Sequence, residues 1–293
     1  MPEPTFIIPG ASRSGTTTLW SIIGEHPGIC TAEEKEIRFF DKDRLYSKGK
    51  GFYEGKFDKC DESQEIGEAS PPYWNRGITF DNQDKYKYDE KDDAPLRIKK
   101  MYPGIKIIFT FRNPVDRMFS QFWKNVRQGR ESRRSVMKAV KEEIEGERTP
   151  QTHELCWIYK NSYATHFRRW KNLFDDKQIK VMVFEEWTEN LSKSVKEIYE
   201  FVGVEKEVNI ERGDRRNNVS RVPRSDTLCR LRNEYFGESL LGKAVRWLNQ
   251  RQGRPNPTDS ERKWLFEILE DEVYEMEEML NRSLSIWYPK NST

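Results

Sequence analysis

The sequence predicts an α/β fold: one domain over residues 1–293, with a central parallel β-sheet flanked by helices. Two observations predict it. Residues 5–9, 105–111 and 179–184 are continuous apolar runs, the pattern of strands buried on both faces of a parallel sheet. Helical patterns follow each run, and alternation of this kind builds parallel sheets.

The first run is followed by a helix over 16–25, stopped by His26-Pro27-Gly28, because proline and glycine cannot extend it. Residues 41–64 and 75–94 are polar and rich in Lys, Asp and Gly, and read as surface excursions with little regular structure. After the second run, Pro114 opens a helix over 114–126, a position proline suits. After the third, Val195, Ile198, Tyr199 and Val202 recur at helical spacing within 192–202. Thr258-Asp259-Ser260-Glu261 is a capping-box pattern. It starts a last helix toward Leu280, with Trp264, Leu265, Ile268, Leu269, Val273 and Met276 as its core stripe.

Lys and Arg number 51 against 49 Asp and Glu, a balance that gives no reason to expect a nucleic-acid partner. Apolar residues make up 35 %, but 13 % are aromatic and nine are Trp, so the core is aromatic-rich rather than absent. Cys30, Cys60, Cys156 and Cys229 lie far apart with no C-x-x-C pair; reduced thiols and no metal are expected. No apolar run approaches the roughly 18 residues of a membrane span, and the N-terminus lacks a signal-peptide pattern, so a cytoplasmic protein with no membrane partner is expected.

Residues 10–17, Gly-Ala-Ser-Arg-Ser-Gly-Thr-Thr, join the first strand to the first helix. Backbone amides at a helix N-terminus face anions, and small residues let that backbone approach oxyanions closely. Ser14, Thr16 and Thr17 add hydroxyls, and Arg13 adds a planar fork of donors. The spacing is that of a P-loop, yet Thr16 stands where the lysine of G-K-[ST] belongs. A kinase or nucleotide hydrolase is therefore disfavoured, and an ordinary Gly/Ser turn capping a helix is the plain alternative.

S-R-S-G-T-T, residues 12–17, resembles the 5'-phosphosulfate loop of sulfotransferases that use 3'-phosphoadenylyl sulfate (PAPS), whose usual forms are K-S-G-T-T and K-G-G-T. The resemblance implies the sulfotransferase fold, a P-loop-like domain. It also implies PAPS as co-substrate, held by Ser12, Arg13, Ser14, Gly15, Thr16 and Thr17. Arg13 replaces the loop lysine; it can stabilise charge on the bridging oxygen but does not titrate near neutral pH. Arg112-Asn113-Pro114, with Ser120 eight residues after Arg112, resembles the family's 3'-phosphate site, a cation and a hydroxyl able to converge on one phosphate. Alone, the site reads as an arginine at a strand end forming a surface ion pair; together and in order, the two loops identify the family.

Lys35-Glu36-Ile37-Arg38-Phe39-Phe40-Asp41 resembles the K-E-x-H-F-F motif of the branch acting on heparan-type sugars and its bacterial relatives. In that branch the glutamate is the base, which makes Glu36 the expected catalytic base. Lys35 and Arg38 then face the acceptor, and Arg38 replaces a histidine. Without the resemblance, Glu36 is a solvated acid in a charge run. His26, His153 and His166 fall outside any matching motif. Glu68-Ala69-Ser70-Pro71-Pro72-Tyr73 resembles E-K-T-P-x-Y, which implies acceptor contacts from Ser70 and Tyr73. Ala69 replaces that motif's lysine, so charge on the transferring group must come from Arg13, Lys35 or Arg38. Arg251, Gly253 and Arg254 sit where relatives place a loop over the nucleotide. The expected function is sulfuryl transfer from PAPS to a hydroxyl or amine of a small-molecule or oligosaccharide acceptor, with no metal. A weakly catalytic nucleotide- or glycan-binding protein of the same fold is the other reading.

Overall fold

The structure is a computed structural model. It describes residues 2–75, 78–80, 86–88, 93–148, 156–206, 221–223, 239, 241, 244, 250–252 and 255–289. In chain order the elements are β1 Phe6–Gly10, α1 Thr16–Ile23, β2 Ile29–Thr31, α2 Asp43–Tyr46, α3 Lys50–Glu54, β3 Glu65–Ala69, β4 Ile78–Phe80, β5 Tyr86–Tyr88, α4 Ala94–Met101 and β6 Lys106–Phe111. There follow α5 Pro114–Gln128, α6 Val136–Ile144, α7 Trp157–Asn161, α8 Tyr163–Lys171, β7 Ile179–Val183, α9 Phe184–Glu189, α10 Leu191–Val202, β8 Arg221–Pro223, β9 Gln250–Gln252 and α11 Asp259–Leu280. The chain forms two compact units. One comprises Met1–Asn113, Tyr163–Arg215 and Glu275–Ile286, the other Pro114–Ser162, Arg216–Tyr274 and Trp287–Thr293.

The first unit carries a five-stranded sheet in the order β2-β3-β1-β6-β7, every neighbouring pair parallel. All three expected strands are in it, and β1 and β6 lie side by side. Strand side chains alternate between faces. Phe6, Ile8 and Ile108 therefore join Leu19 and Ile23 of α1 and Val195, Ile198 and Val202 of α10 in one core. On β6 the opposite alternation sends Phe109 against Phe167 and Trp170, and Phe111 against Trp74, at ring separations of 5.5, 5.2 and 5.4 Å. The aromatic richness of the sequence thus becomes a wall on that face. Parallel strands end together, so the turns after β1 and β6 leave the same edge, where open α/β sheets hold their ligands.

In the second unit α5 packs against α7 and β8, and α7 against α6. The capping box at the start of α11 forms: Glu261 N donates to Thr258 Oγ1 at 3.3 Å, and Thr258 N to Glu261 Oε2 at 2.9 Å.

Two expectations are corrected. Residues 41–64 are not an unstructured excursion, for they hold α2, α3 and a 3-10 turn, Gly55–Phe57. Tyr53 and Phe57 are fully buried, and Tyr53 stacks 4.7 Å from Phe39. A few widely spaced aromatics anchor an otherwise polar segment, because each removes a large area from water. The described part of 75–94 includes the antiparallel pair β4–β5. Second, the thiols are not all reduced: Cys30 and Cys60 form a disulfide with Cα atoms 5.6 Å apart. Spacing along the chain hid it, since the fold returns residue 60 to the sheet edge at β2. Cys156 is free and buried, and burial pushes its thiol up to about 12.

Closing a loop of this size constrains the unfolded chain by about 3–4 kcal/mol in the chain-entropy account. Reduction of the Cys30–Cys60 bridge is expected to lower the denaturant midpoint accordingly, compared between oxidised and reduced protein. An unchanged midpoint would show the bridge to be energetically idle.

Candidate active site

The turn after β1 is held from below by β6. Ala11 N donates to Thr110 O at 2.9 Å, and the Thr110 hydroxyl donates to Ser14 O at 2.8 Å while accepting from Trp187 Nε1 at 2.9 Å. All three side chains are buried. Gly15 caps α1 with φ 86° and no side-chain cap, which leaves the first-turn amides available to an anion. A Cβ at Gly15 would lie 2.5 Å from Trp187 Cζ2 and 2.8 Å from Phe184 Cδ2, so close approach and positive φ both require glycine there. Ser14 Oγ is fully buried without a hydrogen-bond partner among the described residues.

Arg112 leaves the end of β6, where Tyr163 OH donates to its carbonyl at 2.8 Å. Its guanidinium lies 4.7 Å from the centre of the Phe184 ring, the ring that Gly15 also approaches. The turns after β1 and β6 therefore meet on one aromatic side chain. Arg112 Nε, like Ser14 Oγ, is buried with no partner among the described residues. Ser120 is buried on α5 in the second unit. Arg251 lies in β9, also in the second unit, and Gly253 and Arg254 fall outside the described residues.

Lys35 joins the acidic segment to the first turn: its ammonium donates to Thr17 Oγ1 at 3.0 Å and lies 3.5 Å from Glu36 Oε1. Burial pulls the Lys35 ammonium below its usual range, and the Glu36 carboxylate opposes this. Glu36 keeps 47 % of its side chain exposed, against 22 % for Lys35, so the carboxylate is open to an incoming molecule. Its backbone, like that of Arg38, is left-handed at φ 64° and 58°, conformations a non-glycine residue keeps only when its surroundings impose them. The end of β3 does so. Glu36 N donates to Ala69 O at 3.1 Å, and Arg38 N to Ser70 Oγ at 3.1 Å.

Arg38 does not face outward as a lone cation; its guanidinium pairs with the buried Asp41 carboxylate, Nε to Oδ2 at 3.0 Å. Of the cations named for the lysine absent at Ala69, Arg13 lies in the first turn itself and Lys35 is bonded to it through Thr17. Ser70 and Tyr73 are turned inward, both with no exposed surface. Ser70 Oγ donates to Glu68 Oε2 and Tyr53 OH to Glu68 Oε1, each at 2.9 Å. Burial of Glu68 pushes its carboxyl up to about 7, against opposing hydrogen bonds from Ser70, Tyr73 and Tyr53. His26 and His166 are interior, with His26 bonded to Glu205 O and Gly28 N. No His/Cys/Asp/Glu group among the described residues is arranged to hold a metal ion.

Thr110, Phe184 and Trp187 escaped the sequence reading, and Glu68 entered it only as part of a motif, with no role assigned. Thr110 had a signal, being the lone polar residue inside the apolar run 107–111. Phe184 and Trp187 had only their place just after β7.

A family model for the sulfotransferase domain matches residues 3–222. The chain belongs to the sulfotransferase family. It is 31 % identical over 184 residues to human heparan sulfate glucosamine 3-O-sulfotransferase 5, covering 61 % of this chain and 47 % of that protein. It is 24 % identical over 299 residues to a Xenopus laevis bifunctional heparan sulfate N-deacetylase/N-sulfotransferase 1, covering 97 % and 31 %. The chain thus matches less than half the length of these curated relatives. A crystal structure of a sulfotransferase from Alicyclobacillus acidocaldarius superposes with a TM-score of 0.67 at 22 % identity, over 98 % of this chain and 99 % of that one, which shows the shared sulfotransferase fold.

Two outcomes follow from this geometry. Gly15→Ala adds a Cβ where φ is positive and ring carbons crowd it; a loss of about 1–3 kcal/mol is expected by chemical denaturation, and an unaltered midpoint would contradict the packing. Glu68 stays protonated in the folded chain to about pH 7, against an ordinary value of 4.5. Its contribution to stability is therefore fully present below pH 4.5 and lost as pH rises through 7, about 3 kcal/mol by linkage. The denaturant midpoint of Glu68→Gln should fall less between pH 5 and pH 8 than that of the unaltered chain.

Proposed function

We propose that this sulfotransferase moves a sulfuryl group from PAPS to a hydroxyl or amine of an oligosaccharide or small-molecule acceptor, releasing adenosine 3',5'-bisphosphate. The observation that carries the donor assignment is the pair of buried donors on the two turns that share Phe184, Ser14 Oγ and Arg112 Nε, neither with a partner among the described residues. Buried polar atoms are ordinarily paired, and a nucleotide with an anionic group toward each turn would satisfy both. The named activities of the heparan sulfate relatives, one on oxygen and one on nitrogen, support a carbohydrate acceptor.

In this proposal the amides and hydroxyls of residues 14–17 hold the 5'-phosphosulfate, with Arg13 at its bridging oxygen. Arg112 takes the 3'-phosphate. PAPS supplies an activated sulfuryl group. Glu36 accepts the acceptor's proton as the acceptor's lone pair forms a bond to sulfur; the bond from sulfur to the bridging oxygen breaks, and its electron pair leaves on the phosphate. Lys35, between Thr17 and Glu36, ties that carboxylate to the donor site and offers a cation to the developing charge. Preorganised donors of this kind cost no reorganisation during reaction.

Sulfated product from PAPS across a panel of oligosaccharide and small-molecule acceptors tests the activity directly. Glu36→Gln should lower kcat by about 10²–10⁴-fold while adenosine bisphosphate affinity, measured by calorimetry, stays within twofold. Full turnover in that variant would remove Glu36 as the base. Arg112→Ala should weaken bisphosphate binding by about 10–100-fold, the value of a charge-assisted hydrogen bond; unaltered affinity would contradict its assignment.

A further inference from the structure

Glu68 sits at the end of β3, one residue before Ala69, with 1 % of its surface exposed. It does not reach solvent, and nothing in the proposed chemistry uses it. Its neighbours nonetheless connect it to the segment that carries Glu36. Ser70 Oγ gives its proton to Glu68 Oε2 and accepts from Arg38 N. The Tyr73 hydroxyl, a further partner of Glu68, accepts from Phe40 N at 3.4 Å. Tyr53 OH, from α3, holds the other carboxyl oxygen. The adjacent Ala69 carbonyl takes Glu36 N. The remaining ionisable groups that act on this carboxyl are Asp41, itself paired with Arg38, and Tyr102 beyond α4.

Resting on the sulfotransferase reading, we infer that Glu68 is a positioning residue for the base: through Ser70 and Tyr73 it fixes the backbone of residues 36–40 in the left-handed turn that presents Glu36 to the acceptor. It touches neither acceptor nor nucleotide. The backbone amides of Arg38 and Phe40, two residues apart, donate to those hydroxyls and not to a strand. An unmet buried amide is costly, so loss of the hydroxyl anchors releases the turn. The phosphate-binding turn is held separately, by Thr110, and does not depend on them.

The test uses the full chain with Ser70→Ala, Ser70→Thr, Tyr73→Phe and Glu68→Gln. Ser70→Ala and Tyr73→Phe are the mild variants should Glu68→Gln fail to fold. Amide exchange over residues 36–41 should rise at least tenfold in Ser70→Ala, Tyr73→Phe and Glu68→Gln, with exchange over 11–17 unchanged. In the same variants kcat should fall at least tenfold while the affinity for adenosine 3',5'-bisphosphate stays within twofold. Ser70→Thr, which retains the hydroxyl, should restore both readouts. Unchanged exchange over 36–41, or a parallel loss of bisphosphate affinity, overturns the inference in favour of a merely structural role. Exchange needs no turnover, so these outcomes are distinct from failure of the transferase reading, which shows as an unaltered chain that neither binds the bisphosphate nor transfers sulfate.

Discussion

The Thr110 hydroxyl, set between the Ser14 carbonyl and the Trp187 indole, is the contact on which the arrangement of the site depends. A hydroxyl can donate once and accept, and here both capacities are used inside the core, where an unmade bond is costly. The result is that the turn after β1 cannot move independently of β6 or of the segment after β7. Ser14 has its carbonyl engaged and its side chain left over, and Gly15 has no room for a side chain against Trp187 and Phe184. The Ser14 hydroxyl without a partner among the described residues and the open helix terminus are consequences of that clamp.

A second constraint acts at the other side of β1. The segment 36–40 is not itself a strand, and its amides are met by the end of β3 and by the hydroxyls around Glu68. Left-handed backbone at Glu36 and Arg38 persists because those bonds over-determine it. The disulfide adds a covalent limit, since residues 30 and 60 bracket the whole segment. The two constraints meet at one hydrogen bond, Lys35 to Thr17, which sets the acid beside the turn after β1.

Much of this was legible in sequence. The three strands, the helices that follow them and the capping box are read from apolar periodicity and cap residues, which are local signals. The two turns proposed to hold oxyanions were singled out in sequence because that chemistry requires small residues, hydroxyls and arginine at strand ends. Other parts depend on partners distant in the chain. The bridge between Cys30 and Cys60 requires knowing that residue 60 returns to β2. Phe184 was unremarkable until it proved to lie under both Gly15 and Arg112. Ser70 and Tyr73 matched an acceptor-lining motif by type, but only packing shows that both point inward to Glu68. Arg38 read as an available cation until Asp41, three residues on, proved to be its buried partner.

The central claim is that the turns after β1 and β6, meeting on Phe184, grip one bisphosphorylated nucleotide. A crystal structure with adenosine 3',5'-bisphosphate tests it most directly. The account predicts the 5'-phosphate within hydrogen-bond distance of Ser14 Oγ and the first-turn amides of α1, with Arg112 on the 3'-phosphate. A nucleotide bound elsewhere, with Ser14 Oγ and Arg112 Nε still unengaged, would contradict it.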